Sequence, residues 1–321
     1  MKLVIQIPCY NEAEHLPATI ADLPTRIDGI DEIAILVIDD GSTDGTAAVA
    51  ESLGATVVRH TKNRGLAAAF MTGIHTALAM DADIIVNTDA DNQYRGECIG
   101  NLIRPILEKG ADMVVGVRPI TEIAHFSWGK KLLQRIGSAV VRLASGTQVE
   151  DAPSGFRAFS REAALRINVF SDYSYTLETI IECGLKNLVV ATVPVSVNQP
   201  ARPSRLFRST FSYIFRSVTT IGRIFLVYRS FRFLAVTGGT VFSAGFILGI
   251  RFIYYFVRGE GDGHVQSLIL SAVLIIAGFQ MFLIGIVTDL LAANRKMLEE
   301  IQYIQRKAAL TQHHEDSARR P

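Results

Sequence analysis

The fold of this chain is decided by the stretch DIIVNTDADNQ, which occupies residues 83–93. Its first part, residues 83–86, is short and rich in β-branched side chains, a pattern typical of a buried strand. An Asp-x-Asp pair, Asp89 and Asp91, follows, so two carboxylates leave the edge of the predicted sheet side by side. Because ligands of open α/β sheets bind beyond the carboxyl ends of the strands, we expect a functional site here.

The same two carboxylates predict a metal site. Asp89 and Asp91 would repel each other unless a cation lies between them. Mg²⁺ and Mn²⁺ prefer oxygen ligands and commonly share them with substrate phosphates, and Gln93 can add a neutral oxygen. We therefore predict that Asp89, Asp91 and Gln93 bind Mg²⁺ or Mn²⁺, although an Asp-rich turn without a ligand has the same local pattern.

Strands and helices alternate along the chain. Runs of strand length lie at residues 2–7, 33–38, 55–58, 83–86, 112–117, 157–159 and 188–195. Helical patterns lie at residues 12–23, from a cap at Thr43 or Asp44 to Leu53, and at 66–79, 97–109, 128–145, 161–168 and 175–184. This alternation predicts an α/β fold with a doubly wound, mostly parallel sheet.

Charge divides the 321-residue chain into two parts. Residues 1–200 contain 17 Lys and Arg against 24 Asp and Glu, a net −7, whereas residues 201–321 contain 15 against 7, a net +8. The basic part is also the apolar part, which favours a membrane surface over nucleic acid as its partner. The three cysteines have no metal-ligand or disulfide spacing, which favours a reducing cytosol, and no signal-peptide pattern precedes the first strand.

Polar residues after the first two strands suggest a nucleotide site. Asp39 can accept hydrogen bonds from a base or a ribose hydroxyl, Tyr10 can pack on a base, and Glu12 can bind a ribose. The sequence lacks both the Gly-x-Gly-x-x-Gly fingerprint and the Gly-x-x-x-x-Gly-Lys-Ser/Thr phosphate loop. These absences argue against a dehydrogenase and against an ATPase or kinase of the phosphate-loop type. A capped turn around Gly41 that binds nothing is the alternative.

Four motifs in this order resemble those of family 2 glycosyltransferases. They are PCYNE at residues 8–12, DDGSTD at 39–44, NRG at 63–65 and DADNQ at 89–93. Two later segments, DAPSGFR at 151–157 and RPSRL at 202–206, resemble the dolichyl-phosphate mannose synthase branch of that family. The resemblance covers residues 1 to about 232 and implies a nucleotide-sugar-binding fold of the GT-A type. It also implies inverting transfer of a sugar from a GDP- or UDP-linked donor to dolichyl or undecaprenyl phosphate.

The resemblance implies roles for individual residues. Those expected to bind the donor nucleotide are Pro8, Tyr10, Asn11, Glu12, Ile38, Asp39, Lys62, Gly65, Asp89 and Ala90. Those expected to take part in catalysis are Asp89, Asp91 and Arg118. Those expected to bind the acceptor phosphate are Arg118, Lys130, Lys131, Arg202 and Arg205. Arginine suits bidentate phosphate contacts, whereas the two lysines also fit a solvated basic helix face.

Asp151 separates two kinds of acceptor. A hydroxyl acceptor, as in polysaccharide or glycolipid synthesis, needs a general base, and Asp151 is the residue that we would expect to supply it. A phosphate monoester has a second pKa of about 6 and is already mostly dianionic at neutral pH. Such an acceptor needs no base and would leave Asp151 with a structural role. A third hypothesis, a non-catalytic membrane scaffold, is disfavoured by the intact metal and nucleotide motifs.

The C-terminal part predicts membrane attachment. Residues 201–232 include an amphipathic helical pattern with aromatic residues on one side and arginines on the other, typical of an interfacial helix. Two apolar runs, at about 233–257 and 266–288, are long enough to cross a hydrocarbon core of about 30 Å. The loop 258–265 holds one basic residue, against seven in 202–232 and six in 289–321. The positive-inside rule therefore predicts a multi-pass membrane protein with its 1–200 domain and both termini in the cytoplasm.

The predicted cytoplasmic tail, residues 291–321, has a helical pattern. Its apolar residues Met297, Ile301, Ile304 and Ala308 fall on one side. Such a stripe fits either a homo-oligomer contact or an ordinary surface helix.

Overall fold

A computed structural model describes residues 1–119, 138–139, 141–142, 145–169, 175–198 and 210–319, with the backbone alone at 210–230 and 311–319. The chain forms two compact units, Met1–Ile221 together with Ile301–Pro321, and Gly222–Glu300. Most of the helix predicted at 128–145 lies outside the described residues. So do four residues expected at the acceptor site, Lys130, Lys131, Arg202 and Arg205.

The first unit is built on a seven-stranded sheet. Its strands are β1 (Lys2–Cys9), β2 (Glu32–Asp39), β3 (Thr56–Arg59), β4 (Ile84–Asn87), β5 (Met113–Val117), β6 (Arg157–Ser160) and β7 (Val190–Pro194). They lie in the order β3-β2-β1-β4-β6-β5-β7. Strand β6 runs antiparallel to β4 and β5, and the other neighbouring pairs are parallel. The prediction of an α/β fold with a mostly parallel sheet is therefore confirmed.

The helices of this unit lie close to their predicted positions. They are α1 (Leu16–Asp22), α2 (Thr46–Ser52), α3 (Leu66–Ala79), α4 (Cys98–Lys109), α5 (Arg161–Arg166) and α6 (Tyr175–Leu185). Helix α1 begins later than expected because Pro17 lies in its first turn, where a missing N–H costs little. Helix α2 follows Gly45, whose φ is 87°, and the Asp44 carboxylate accepts the Thr46 N–H at 3.1 Å.

Register brings the ends of the central strands together. Strands β1 and β4 are buried on both faces, as expected where helices cover a sheet on both sides. Cys9 pairs with Asp39 across β1 and β2, and Asn87 of β4 pairs with Arg157 of β6. The turns that follow β1, β2 and β4, and the loop that precedes β6, therefore meet at one edge of the sheet.

Two long helices follow, α7 (Thr210–Val257) and α8 (Val265–Arg319). The described part of the predicted interfacial segment, residues 210–232, and the first apolar run thus share one continuous helix. Both helices contain a segment long and apolar enough to cross a membrane. Within the second unit they pack through small residues. A Cβ at Gly278 would lie 2.6 Å from the Phe242 nitrogen, and the Ser271 hydroxyl donates to the Gly245 carbonyl at 2.7 Å. Such small residues let transmembrane helices approach closely.

The last part of α8 belongs to the first unit and packs on α5. The Tyr303 hydroxyl donates to the Glu162 carboxylate at 3.1 Å. The Arg306 guanidinium donates to the carbonyl oxygens of Leu165 and Ile167, both at 3.1 Å. Arg306 therefore satisfies carbonyls at the C-terminus of α5 that have no partner within that helix.

Candidate active site

The turn after β2 is joined to the turn after β1. Asp39 is fully buried, its Oδ1 accepts the Ser42 N–H at 2.8 Å, and Arg59 Nε lies 3.2 Å from its Oδ2. Asn11, whose φ is 55°, donates its N–H to Ser42 Oγ at 2.9 Å. These contacts fix both turns and leave the adjacent Tyr10 47% exposed, so that its ring can pack against a ligand.

Asp40 fastens a third segment, the loop 62–65, to the same edge. Its Oδ1 accepts the Arg64 N–H at 2.8 Å and lies 2.7 Å from His60 Nδ1. Its Oδ2 accepts the Gly65 N–H at 2.8 Å. These donors offset the cost of burying the Asp40 carboxylate. Asp40 therefore has a structural role beside the predicted nucleotide site.

The other residues predicted to bind the donor lie around Asp40. Gly41 has a φ of 75°, and a Cβ there would lie 2.6 Å from the Lys62 carbonyl carbon, so the loop packs directly on the turn. Pro8 and Ile38 are buried opposite each other in β1 and β2, whereas Lys62 is exposed. At this edge the structure brings together Pro8, Tyr10, Asn11, Glu12, Ile38, Asp39, Lys62 and Gly65.

The predicted metal ligands follow β4. Burial and the charge of Asp91 raise the pKa of Asp89 to about 7, and the charges of Arg118 and Arg157 act in the opposite direction. Asp91 Oδ1 accepts the Gln93 N–H at 3.2 Å, whereas the Asp89 carboxylate makes none of the hydrogen bonds found among the described residues. Two repelling carboxylates, one of which has no hydrogen-bond donor in the described part of the chain, fit a hard divalent cation.

The predicted metal site has few protein ligands. The described part of the chain contains no group of three or more His, Cys, Asp or Glu side chains arranged to hold a metal ion. A cation bound by Asp89 and Asp91 would therefore need further oxygen ligands, and the phosphates of a nucleotide can supply them.

The metal loop is held through its main chain. The Thr19 hydroxyl donates to the Ala90 carbonyl at 2.8 Å. Asn198 donates its backbone N–H to the Gln93 carbonyl at 2.8 Å and its side-chain amide to the Asn92 carbonyl at 3.0 Å. The carboxylates of Asp89 and Asp91 are thus carried by a fixed backbone, which leaves their oxygens for other contacts.

Arg118, which follows β5, forms an ion pair with Asp151. Its Nε and Nη2 lie 2.7 and 2.9 Å from the two carboxylate oxygens, and its backbone N–H donates to Oδ2 at 3.2 Å. Asp151 is fully buried, and the Arg118 side chain is 14% exposed. Both oxygens of the Asp151 carboxylate are therefore engaged by the Arg118 guanidinium. Of the two roles considered for Asp151, the geometry favours the structural one.

The side chain of Arg157 holds the loop 151–156 through hydrogen bonds to its backbone. It is fully buried, and its guanidinium donates to the carbonyl oxygens of Ala152, Ser154 and Thr176 at 2.7, 2.8 and 2.6 Å. Burial lowers its pKa to about 10, which leaves it charged at neutral pH. Neither Arg157 nor Asp40 is among the site residues predicted from the sequence. The signal that could have found them is their place in the motifs DAPSGFR at 151–157 and DDGSTD at 39–44.

Comparison with known proteins agrees with this geometry. The family model of glycosyl transferase family 2 matches residues 4–167, just over half of the chain. The chain belongs to glycosyl transferase family 2. The polyprenol monophosphomannose synthase of Mycolicibacterium smegmatis is 30% identical over 210 residues, which are 62% of this chain and 78% of that protein. The glycosyltransferase AglJ of Haloferax volcanii is 28% identical over 316 residues, 94% of this chain and 97% of that protein.

Solved structures share the fold of this family 2 glycosyltransferase. Glucosyl-3-phosphoglycerate synthase of Mycobacterium tuberculosis, solved with Mn²⁺, UDP and glucosyl-3-phosphoglycerate, superposes with a TM-score of 0.53. It is 22% identical, and the match covers 70% of this chain and 78% of that one. The predictions of a nucleotide-sugar-binding fold and of a glycosyltransferase are confirmed, so the scaffold hypothesis is set aside.

Proposed function

We propose that this glycosyltransferase moves a sugar from a GDP- or UDP-linked donor to the phosphate of a polyprenyl phosphate. The observation that carries the proposal is the ion pair between Arg118 and Asp151. It engages the carboxylate that a hydroxyl acceptor would need as a base, and a phosphate acceptor needs no base. The name of the relative from Mycolicibacterium smegmatis, a polyprenol monophosphomannose synthase, agrees with such an acceptor.

Donor binding is assigned to the edge formed by β1, β2 and β4. Tyr10 would pack on the base, Asp39 would accept a hydrogen bond from the base or the ribose, and Lys62 would lie near the diphosphate. Asp89, Asp91 and Gln93 would hold Mg²⁺ or Mn²⁺. When bound, the cation would neutralise the charge that develops on the departing nucleoside diphosphate.

The acceptor is assigned to the edge beside Arg118. There, a phosphate oxygen attacks the anomeric carbon on the face opposite the nucleotide, the bond from that carbon to the diphosphate breaks, and the centre is inverted. Arg118, oriented by Asp151, would bind the phosphate with the guanidinium N–H groups that the carboxylate does not use. Lys130, Lys131, Arg202 and Arg205 remain proposed phosphate contacts outside the described residues.

Membrane attachment follows from the same proposal, because the acceptor is a lipid. Helices α7 and α8 each contain a segment that can cross a membrane. The tail of α8 contacts α5 of the first unit through Tyr303 and Arg306, which supports a location of the tail and of that unit on one side of the membrane. Together with the basic flanks, this contact supports a hairpin with the catalytic domain and both termini in the cytoplasm.

A direct test uses the full-length protein in detergent with labelled GDP- and UDP-sugars and two acceptors of equal chain length, a polyprenyl phosphate and the corresponding polyprenol. We expect label in the phosphate lipid with Mg²⁺ or Mn²⁺, and none with excess chelator. The Asp91→Asn variant is the matched inactive control. Comparable transfer to the polyprenol would overturn the proposed acceptor class, and full activity in chelator would overturn the metal requirement.

A further inference from the structure

We infer that Gly155, held by Asn87 and Tyr175, positions the Asp89 carboxylate for metal binding, an inference that rests on the proposed metal-dependent function. Gly155 and Tyr175 are distant from Asp89 in sequence, and neither would touch the cation. Their role is to shape the space in which the Asp89 carboxylate lies.

Gly155 forms one wall of that space. A Cβ placed on it would lie 3.0 Å from Asp89 Oδ1, 3.2 Å from Asp89 Oδ2 and 3.0 Å from the Tyr175 hydroxyl. All three distances are shorter than ordinary van der Waals contact, which begins near 3.4 Å. The backbone of Gly155 therefore packs directly against both carboxylate oxygens, and only glycine leaves them undisturbed.

A closed hydrogen-bonded triangle keeps Gly155 in place. The Asn87 side-chain amide donates to the Gly155 carbonyl at 2.9 Å and to the Tyr175 hydroxyl at 2.8 Å. The Tyr175 hydroxyl in turn donates to the Gly155 carbonyl at 3.3 Å. The Asn87 oxygen accepts the Gln6 amide at 2.9 Å, and the Tyr175 ring stacks on Phe70 with centroids 4.0 Å apart. Asn87 and Tyr175 are thus both anchored in the core, and they hold Gly155 between them.

The chemistry of the triangle suits a supporting role. Burial, and then the charge of Asp89, raise the pKa of Tyr175 well above its ordinary value, so the hydroxyl keeps the proton that it donates. Arg157 holds the same loop by donating to the carbonyls of Ala152 and Ser154. Because Asp89 makes no hydrogen bond of its own within the described residues, packing against Gly155 is what limits the directions that its carboxylate can take.

The test is Mn²⁺ affinity, measured by the electron paramagnetic resonance signal of free Mn²⁺ with full-length protein, alone and with UDP or GDP. Gly155→Ala should weaken Mn²⁺ binding about 10–100-fold, as supporting residues of metal sites do. Tyr175→Phe keeps the stack on Phe70 and removes only the hydroxyl, so we expect a loss of about tenfold. Nucleotide affinity without metal should be unchanged in both variants.

Two further variants make the test specific. Gly100→Ala in α4 is the matched control, since a Cβ there meets only Ile27 at 3.9 Å, and it should bind Mn²⁺ as the wild type does. In Gly155→Ala/Tyr175→Phe the contact with the hydroxyl is gone but the contact with Asp89 persists, so Mn²⁺ affinity should stay low. Recovery in this double variant would overturn the inference.

The outcomes separate this inference from the proposed function. If the wild type binds Mn²⁺ and both folded single variants bind it equally well, only the positioning role falls. If Gly155→Ala does not fold, Tyr175→Phe alone decides, and unchanged affinity in that variant overturns the inference. If the wild type binds no Mn²⁺ even with nucleotide, the metal-dependent function and the positioning role fall together.

Discussion

The carboxylates after β2 and those after β4 lie at the same edge of one sheet, but their surroundings differ. Asp40 and Asp44 accept backbone N–H groups, and although burial opposes ionisation of Asp44, hydrogen bonds from Thr46 and Ala13 outweigh it and lower its pKa. Asp89 has no such donors among the described residues, and burial with the nearby Asp91 raises its pKa to about 7. Asp40 and Asp44 therefore hold the backbone of the site in place, whereas the Asp89 carboxylate is suited to bind a ligand.

The largest expected effect is that of Asp89→Asn. Transfer should fall about 10²–10³-fold or more, because in the proposed function the cation that stabilises the leaving diphosphate is bound by this carboxylate. Stability without metal should be unchanged or higher, because one of two repelling carboxylates is removed. Transfer assays and thermal unfolding in chelator measure both. Near-normal turnover in this variant would contradict the distinction drawn between the two groups of carboxylates.

Asp40→Ala should show the opposite behaviour. It removes the acceptor of the Arg64 and Gly65 N–H groups and the partner of His60, so we expect a loss of about 3 kcal/mol in the free energy of unfolding. Donor KM should rise because the loop 62–65 is released. Denaturant unfolding of the full chain in detergent measures the loss, with Asp28→Ala, an exposed carboxylate, as the control. Wild-type stability in Asp40→Ala would show that its hydrogen bonds are dispensable.

Asp151→Asn tests a carboxylate that is buried and paired with a side chain. The asparagine side chain is neutral but keeps one oxygen that can accept a hydrogen bond from Arg118. We therefore expect a loss of about 2 kcal/mol in the free energy of unfolding. Transfer to a phosphate acceptor should continue, since that nucleophile needs no base. A hydroxyl acceptor would instead predict a loss of about 10²–10⁴-fold.

Arg118→Ala is the companion variant. It should raise the KM for the lipid phosphate while donor affinity stays constant. The reason is that the proposed nucleotide site lies at the ends of β1, β2 and β4 and not beside Arg118. If Asp151→Asn abolishes transfer in a folded protein and Arg118→Ala retains full activity, the hydroxyl-acceptor hypothesis replaces the proposed one.

The smallest effect is expected far from the carboxylates, at the tail of α8. Arg306→Ala should lower the free energy of unfolding by roughly 1 kcal/mol, because it removes the hydrogen bonds to the carbonyls of Leu165 and Ile167. The pKa of His75, lowered by burial and then by the charge of Arg306, should rise in this variant. Nuclear magnetic resonance titration of His75 measures the shift, and Gln305→Ala, an exposed neighbour, is the control. An unchanged His75 pKa would mean that the tail does not dock on the catalytic unit.

Local pattern predicted most of the elements. The strand before Asp89 was expected at residues 83–86 and is β4, Ile84–Asn87. An apolar run that ends in polar residues fits a central strand whose two faces are covered by helices. The antiparallel insertion of β6 between β4 and β5 was not predicted. The four residues of that strand carry no information about direction, which depends on the loop before it and on contacts distant in sequence.

The sequence by itself determined the alternation of strands and helices, the position of Asp89, Asp91 and Gln93 after a central strand, and two apolar runs of membrane-spanning length. Each of these depends on local periodicity and residue chemistry. Only the tertiary structure decided which carboxylates are satisfied. Asp151 is held by Arg118, and Asp89 lies against Gly155 without a hydrogen bond among the described residues, because partners far apart in sequence are brought together only when the sheet assembles.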